Sequence, residues 1–119
     1  MSGFEKTTVT DLDGGIRVLH APRELDVYTV PDFRSHTVEA VAAGRYHLVI
    51  DLSATTYIDT TGLGMLVGTL KRVRTHEGSL TLAGPLHESL TRVLRLSGLV
   101  KLFDIVDSVD AAVVERAGA

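Results

Sequence analysis

The chain predicts an α/β domain with a mixed sheet, and three features carry that expectation. Two short β-forming runs flank Asp13-Gly14-Gly15. After them, helical periodicity and short apolar runs alternate to the C-terminus. Between the halves lies LVIDL, an apolar run with β-branched members that leads through a polar stretch into a helical pattern. The hairpin supplies an antiparallel pair, and right-handed crossovers supply the parallel part. Neither an internal repeat nor an interdomain linker interrupts this order.

Composition narrows the function classes. At 119 residues the chain reads as one domain, residues 1–119, able to bury a sizeable core but short for an enzyme with its own substrate domain. A net charge of -3 argues against broad nucleic-acid binding. No window approaches the roughly 18 uninterrupted apolar residues of a membrane span. The segment MSGFEKTTVTD has no apolar core of a secretory signal. With no cysteine, disulfide frameworks, thiol catalysis and sulfur metal sites are all removed. Scarce aromatics and the lack of tryptophan weaken any base- or sugar-stacking role.

In chain order, residues 1–6 form a polar tail, and Thr7–Leu12 and Gly15–His20 are the two strands of a hairpin. The Asp-Gly-Gly step between them supplies positive φ without steric cost. Pro22 stops regular pairing, so Glu24–Tyr28 reads as a surface loop or short edge segment. Pro31 suits the first turn of a helix to about Ala43, with Asp32 favouring the positive end of the dipole. Its less polar stripe is Phe33, Thr37, Val38, Val41 and Ala42, and Gly44 stops it. His47–Leu52 is a buried strand. A second helix starts near Thr60 or Thr61 and ends near His76, with Leu63, Leu66, Val67, Leu70 and Val73 inward. Lys71, Arg72, Arg74 and His76 near its end read as a solvated face that opposes the dipole, not as a phosphate patch. Gly78 breaks that helix and Ser79–Ala83 is the next strand. Gly84-Pro85 punctuates the chain before a third helix to about Leu96, with Leu86, Leu90, Val93 and Leu94 inward. Ser97-Gly98 closes it, Leu102–Val106 is the last strand, and Ser108 caps a terminal helix carrying Val109, Ala112 and Val113. Residues 116–119 fray.

The chemistry concentrates in DLSATTYIDTTGLGMLVG, residues 51–68. In an α/β sheet, the loop from a strand's carboxyl end into a helix is the usual functional position. Asp59, Thr60 and Thr61 fall there, and any of them could cap the helix. A cap alone leaves the doubled threonines before Gly62-Leu63-Gly64 unexplained. Phosphate on a threonine here would add about 1.5 to 2 negative charges where a helix N-terminus tolerates them. Asp59, and Asp26 if the fold brings it close, would repel it, so modification would change the surface rather than unfold the domain. Gly62 and Gly64 leave low relief for an approaching protein.

Other chemistries find little support. GLGMLVG lacks the spacing of a phosphate loop or a dinucleotide fingerprint, and Gly64 and Gly68 read as allowing close helix–sheet packing. His20, His36, His47, His76 and His87 are scattered without metal-ligand spacing. No GxSxG or paired nucleophile and base occurs. Asp51, ending a central strand, could accept phosphate as in a receiver. The acidic pair and lysine of such a pocket are largely missing from HAPRELD and GPLHES.

Glu24-Leu25-Asp26, LVIDLSATTYIDTTGLGMLVG, residues 78–82 and LRLSGLVKLF together resemble an anti-sigma factor antagonist of the STAS family. The resemblance spans residues 7–114, and DVYTVPDFR and LKRVRTHEGSL are similar to actinomycete developmental and stress-regulatory members. It implies the STAS fold, a mixed four- to five-stranded sheet with helices mainly on one face. It also implies a cytoplasmic, bacterial, non-enzymatic regulator without cofactor. The unphosphorylated form of such a protein binds an anti-sigma factor with serine/threonine kinase activity and frees a sigma factor. That kinase uses ATP and magnesium, and a metal-dependent serine/threonine phosphatase reverses the modification. Neither direct nucleic-acid binding nor a membrane is implied. Residue by residue, the phosphoacceptor position falls on Thr60, its environment on Asp26, Asp59 and Thr61, and the partner-binding helix start on Gly62, Leu63 and Gly64. The acceptor is more often serine in this class, and Arg23 stands where glycine usually precedes Glu-Leu-Asp. The alternatives are a STAS scaffold or adaptor in a larger phosphorylation-controlled assembly, and a receiver-like protein using Asp51.

Overall fold

The computed structural model describes residues 6–117 and shows a five-stranded mixed sheet. Its first hairpin, β1 (Thr8–Leu12) and β2 (Ile16–His20), is antiparallel and turns through Asp13–Gly15. Next come β3 (Glu24–Leu25) and α1 (Val30–Ala42). The central strand β4 (His47–Asp51) is followed by β5 (Tyr57–Ile58) and α2 (Thr60–Arg74). Strand β6 (Ser79–Ala83), α3 (Glu88–Leu96), β7 (Asp104–Val106) and α4 (Val109–Ala117) complete the chain. The sheet order is β1-β2-β4-β6-β7, and every pair after the hairpin is parallel. Helix α4 runs two residues into the stretch expected to fray. Residues 1–5 of the expected tail and residues 118–119 lie outside the described residues.

Side chains alternate across each strand, and the sheet therefore carries two apolar clusters. Leu19, Leu48, Ile50, Leu80 and Leu82 face α1, α2 and α3 in the main core. Ile16, Val18, Val49 and Ala83 face the other way, beneath Ala112 and Val109 of α4. Three helices cover one face and one short helix covers part of the other. The one polar exception on the main-core side of β2 is Arg17, buried yet paired with Asp11 at 2.6 Å and Glu39 at 2.8 Å.

Three local expectations change and a fourth is sharpened. Of the two forms expected for residues 24–28, Glu24-Leu25 takes the short strand segment, paired in parallel with Tyr57-Ile58 as a separate two-stranded ribbon. Helix α1 begins at Val30, whose burial sets the inward stripe as Val30, Phe33, Thr37 and Ala40, leaving Val38 and Ala42 exposed. Residue Glu77, with φ 58, makes the left-handed turn after α2; Gly78 is required because a Cβ there would strike the Tyr46 carbonyl. Strand β7 starts at Asp104, because a single helical turn over Leu99–Lys101 precedes it.

The largest revision concerns the glycines of α2. Gly64 and Gly68 are exposed, and a Cβ at either would meet nothing within 4 Å. The close approach is at Gly62, where a Cβ would lie 2.5 Å from the Leu25 carbonyl oxygen and 2.7 Å from Ile58 Cγ1. This contact turns α2 so that Met65 and Thr69 are buried beside Leu66, Leu70 and Val73, while Leu63 and Val67 sit on the flank.

Candidate functional site

The site is the loop that leaves β4 and the first turn of α2. Its backbone is tied down along its length. The Leu52 N–H donates to the Ala83 carbonyl (2.8 Å), and the Thr56 N–H donates to the Arg23 carbonyl (2.8 Å). Buried Thr55 donates its hydroxyl to the Pro22 carbonyl at 2.7 Å, and Ser89 of α3 donates to the Thr56 carbonyl at 2.6 Å. Pairing of β3 with β5 ends in a bond from the Asp59 N–H to the Leu25 carbonyl (3.1 Å). Helix α2 therefore begins from a fixed platform rather than from a loose loop.

Asp59 is the cap. Its backbone is extended (φ -106, ψ -173) and its Oδ1 accepts from the Gly62 N–H at 3.0 Å. With the cap supplied by a carboxylate, the two threonine hydroxyls are released from that duty. Thr60 is exposed, Thr61 is half-buried, and neither hydroxyl is hydrogen-bonded to a described residue.

Asp26 reaches this neighbourhood through the ribbon. Leu25 pairs with Ile58, so the next residues in register are Asp26 and Asp59. The Asp26 Oδ1 accepts from the Tyr28 N–H (2.9 Å) and the Thr29 N–H (3.1 Å), fixing the turn that enters α1. Half-buried Leu63 and exposed Gly64 continue the surface from Thr60 along the first turn, and Gly62 lies beneath it. The fold thus gathers Asp26, Asp59, Thr60, Thr61, Gly62, Leu63 and Gly64 at one corner. Exposed Tyr57 on β5 and exposed Val27 and Tyr28 after Asp26 add an apolar rim. Arg23 is itself exposed and has negative φ, so its backbone makes no demand for glycine.

Asp51 stands apart, at the other end of the loop. Its Oδ1 accepts from the Ser53 N–H at 2.9 Å, and its Oδ2 accepts from His20 Nδ1 at 2.8 Å. Burial would raise this carboxyl, but the bonds from Ser53 and His20 outweigh it and hold the group below the usual carboxylate value. The carboxylate offered by a receiver reading is thus occupied in holding the loop and a histidine. His20 Nε2 in turn meets Thr10 Oγ1 at 3.1 Å. This three-residue row escaped sequence reasoning because its members lie on β1, β2 and β4. The available signal was that His20 and Asp51 each end a β-forming run, so parallel pairing of the runs sets them side by side. Among the described residues, no group of three or more His, Asp or Glu is arranged to hold a metal ion.

Comparison with known proteins bears on the family and the fold. The family model described as the STAS domain matches residues 7–112. An anti-sigma-B factor antagonist of Bacillus subtilis is 42% identical over 82 residues, covering 69% of this chain and 73% of that protein. The crystal structure of an anti-sigma factor antagonist from Mycobacterium paratuberculosis superposes with a TM-score of 0.82 at 29% identity, over 92% of each chain. The antagonist SpoIIAA in its unphosphorylated form shares the fold, with a TM-score of 0.82 at 18% identity over 95% of this chain and 97% of its own.

Proposed function

The chain belongs to the STAS-domain family of anti-sigma factor antagonists, and from that premise we propose that it is a partner switch governed by Thr60. In this reading the unphosphorylated protein binds an anti-sigma factor with serine/threonine kinase activity and frees a sigma factor. The kinase then phosphorylates Thr60 and the complex weakens. A metal-dependent serine/threonine phosphatase resets the cycle. The chain performs no catalysis of its own, in keeping with a family of non-catalytic signalling proteins. The cycle belongs in the cytoplasm, where kinase and sigma factor meet, and one domain over residues 1–119 suffices for it. We also assign the chain, on DVYTVPDFR and LKRVRTHEGSL, to the actinomycete developmental and stress-regulatory members.

The observation that carries the reading is the exposed Thr60 hydroxyl at the first position of α2, with the cap already supplied by Asp59. A phosphate there would add about 1.5 to 2 negative charges at a helix end that accommodates them. Across an interface the same charges meet Asp26 and Asp59 and lose hydration, which weakens the partner's hold without disturbing the fold. Threonine keeps the nucleophilic hydroxyl and adds a methyl that restricts χ1. The apolar rim of Val27, Tyr28 and Tyr57 gives a kinase partner area to bury.

The test is phosphorylation by the cognate kinase with ATP and magnesium, mapped by mass spectrometry. Modification confined to Thr60, and lost in Thr60→Ala, is the expected result. Undiminished phosphorylation of Thr60→Ala would sink the assignment, as would wild-type affinity of Thr60→Asp for the unphosphorylated-state partner.

A further inference from the structure

The α4 face of the sheet holds a second candidate site, remote in chemistry from the phosphoswitch. Helix α4 covers Ile16, Val18, Val49 and Ala83 but leaves β1 uncovered, and an open groove of about 400 Å³ runs between them. Leu12 and Val18 form its sheet side, and Val109 and Val113 form its helix side. A volume of this order, aliphatic walls and a few convergent polar groups are the usual features of a small-molecule site. The polar groups here are Thr10 and His20 on the sheet and Asp110 on the helix.

The hydrogen-bond order sets the sign of the ligand. Asp51, held below the usual carboxylate value, is ionised at neutral pH and accepts from His20 Nδ1–H. His20 Nε2 meets the Thr10 hydroxyl at 3.1 Å, and whichever of the two donates, the hydroxyl oxygen keeps a free lone pair. What Thr10 leaves toward the groove is a lone-pair acceptor. Asp110 adds a carboxylate, and among the described residues no lysine or arginine lines the groove. The polar end is therefore rich in acceptors and carries negative charge, which disfavours a carboxylate or phosphate and favours a cationic donor.

We propose that this groove binds a small aliphatic amine, its ammonium donating to Thr10 and Asp110 and its hydrocarbon chain lying between Leu12, Val18 and Val113. Because Asp51 divides its carboxylate between His20 and the Ser53 N–H, the groove is also wired to the loop that leads to α2. The site stands independently of whether Thr60 is phosphorylated.

The test is a titration of the full chain with n-octylammonium and, in parallel, n-octanoate, followed by heteronuclear NMR. Saturable shifts centred on Thr10, His20 and Val113, with octanoate binding at least tenfold more weakly, are expected. Val113→Phe, which fills the groove from a half-buried position, should abolish the shifts while leaving the circular dichroism melt unchanged. Asp110→Asn should reduce the preference for ammonium over carboxylate severalfold. Equal binding of the two probes, no saturation by octylammonium, or undiminished binding to folded Val113→Phe would each overturn the proposal.

Discussion

The loop from β4 to α2 has an aspartate at each end, and the two use the same device to different ends. Asp51 accepts from the N–H two residues on, at Ser53, and Asp59 accepts from the N–H three residues on, at Gly62. At Asp51 a second partner, His20, takes the remaining oxygen, and the side chain is only 16% exposed. At Asp59 the bond leaves its neighbour Thr60 projecting into solvent with an unengaged hydroxyl. Identical local chemistry becomes structural where burial and a second partner close it. It becomes available for modification where the cap frees an adjacent group.

The sharpest way to break this contrast is at the platform that both ends share. Gly62→Val forces a branched side chain against the Leu25 carbonyl and Ile58, both part of the ribbon. Overpacking of this kind costs about 3 kcal/mol or more when the obstruction is backbone. Thermal melts should show it, and partner binding should fall with it. Gly64→Ala is the control: it lies two residues on, exposed and unobstructed, and should stabilise α2 by up to about 1 kcal/mol. If both substitutions behaved alike, the close approach at Gly62 would have no energetic meaning.

Asp51→Asn comes next. An asparagine amide cannot accept from Ser53 and His20 together as a carboxylate does, and the loss should be about 1 to 2 kcal/mol at neutral pH. The pH dependence gives the signature. The folded carboxyl is held below its ordinary value of 3.8, so its contribution is present above that value and fades as pH falls through the lower folded value. The gap between wild type and Asp51→Asn should therefore close in acid. Asp11, lowered chiefly by the Arg17 hydrogen bond, loses stability in the same direction in both proteins and cancels in the comparison. A gap that stayed constant to pH 2 would contradict the assignment of Asp51 as a charged tether.

Asp59→Ala removes one cap and should cost about 1 kcal/mol in a denaturant titration. Loss of less than a few tenths would mean that a threonine hydroxyl takes over the cap, and the reason for calling Thr60 free would vanish.

How much of this was legible in the sequence follows from the range over which each feature is encoded. The long strands and α2 announce themselves because apolar residues recur within one element: HLVID and SLTLA as short β-branched or alternating runs, and Leu66, Leu70 and Val73 at helical spacing. The ribbon was not legible, since two residues such as Glu24-Leu25 carry no period. The role of Gly62 depends on Leu25, 37 positions earlier, and no local pattern encodes that contact. For α1, the inward stripe is set by Val30, which precedes the proline that seemed to open the helix; starting at Pro31 puts Val38 on the wrong side. The motif residues themselves were legible as a cluster because six of the seven are contiguous. Asp26 joins them only through strand pairing, and the Thr10-His20-Asp51 row required three separate strands to be aligned.

Thr60→Asp should have the smallest effect on the fold and the largest on recognition, which makes it the most discriminating substitution. A negative side chain in the first turn gains about 0.3 to 1 kcal/mol from the helix dipole. Asp59 one residue back and Asp26 across the ribbon oppose that gain, so the melting midpoint should shift by no more than the equivalent of about 0.5 kcal/mol. Affinity for the kinase partner should drop at least tenfold, about 1.4 kcal/mol, because the charge must be desolvated beside two other acids when the interface closes. Thr60→Ser separates charge from shape: it should bind as wild type and be phosphorylated at least as fast, since loss of the methyl frees χ1. A large loss of stability in Thr60→Asp would instead mean that the corner around Asp59 is closed in the way the corner around Asp51 is. The two ends of the loop would then be alike after all.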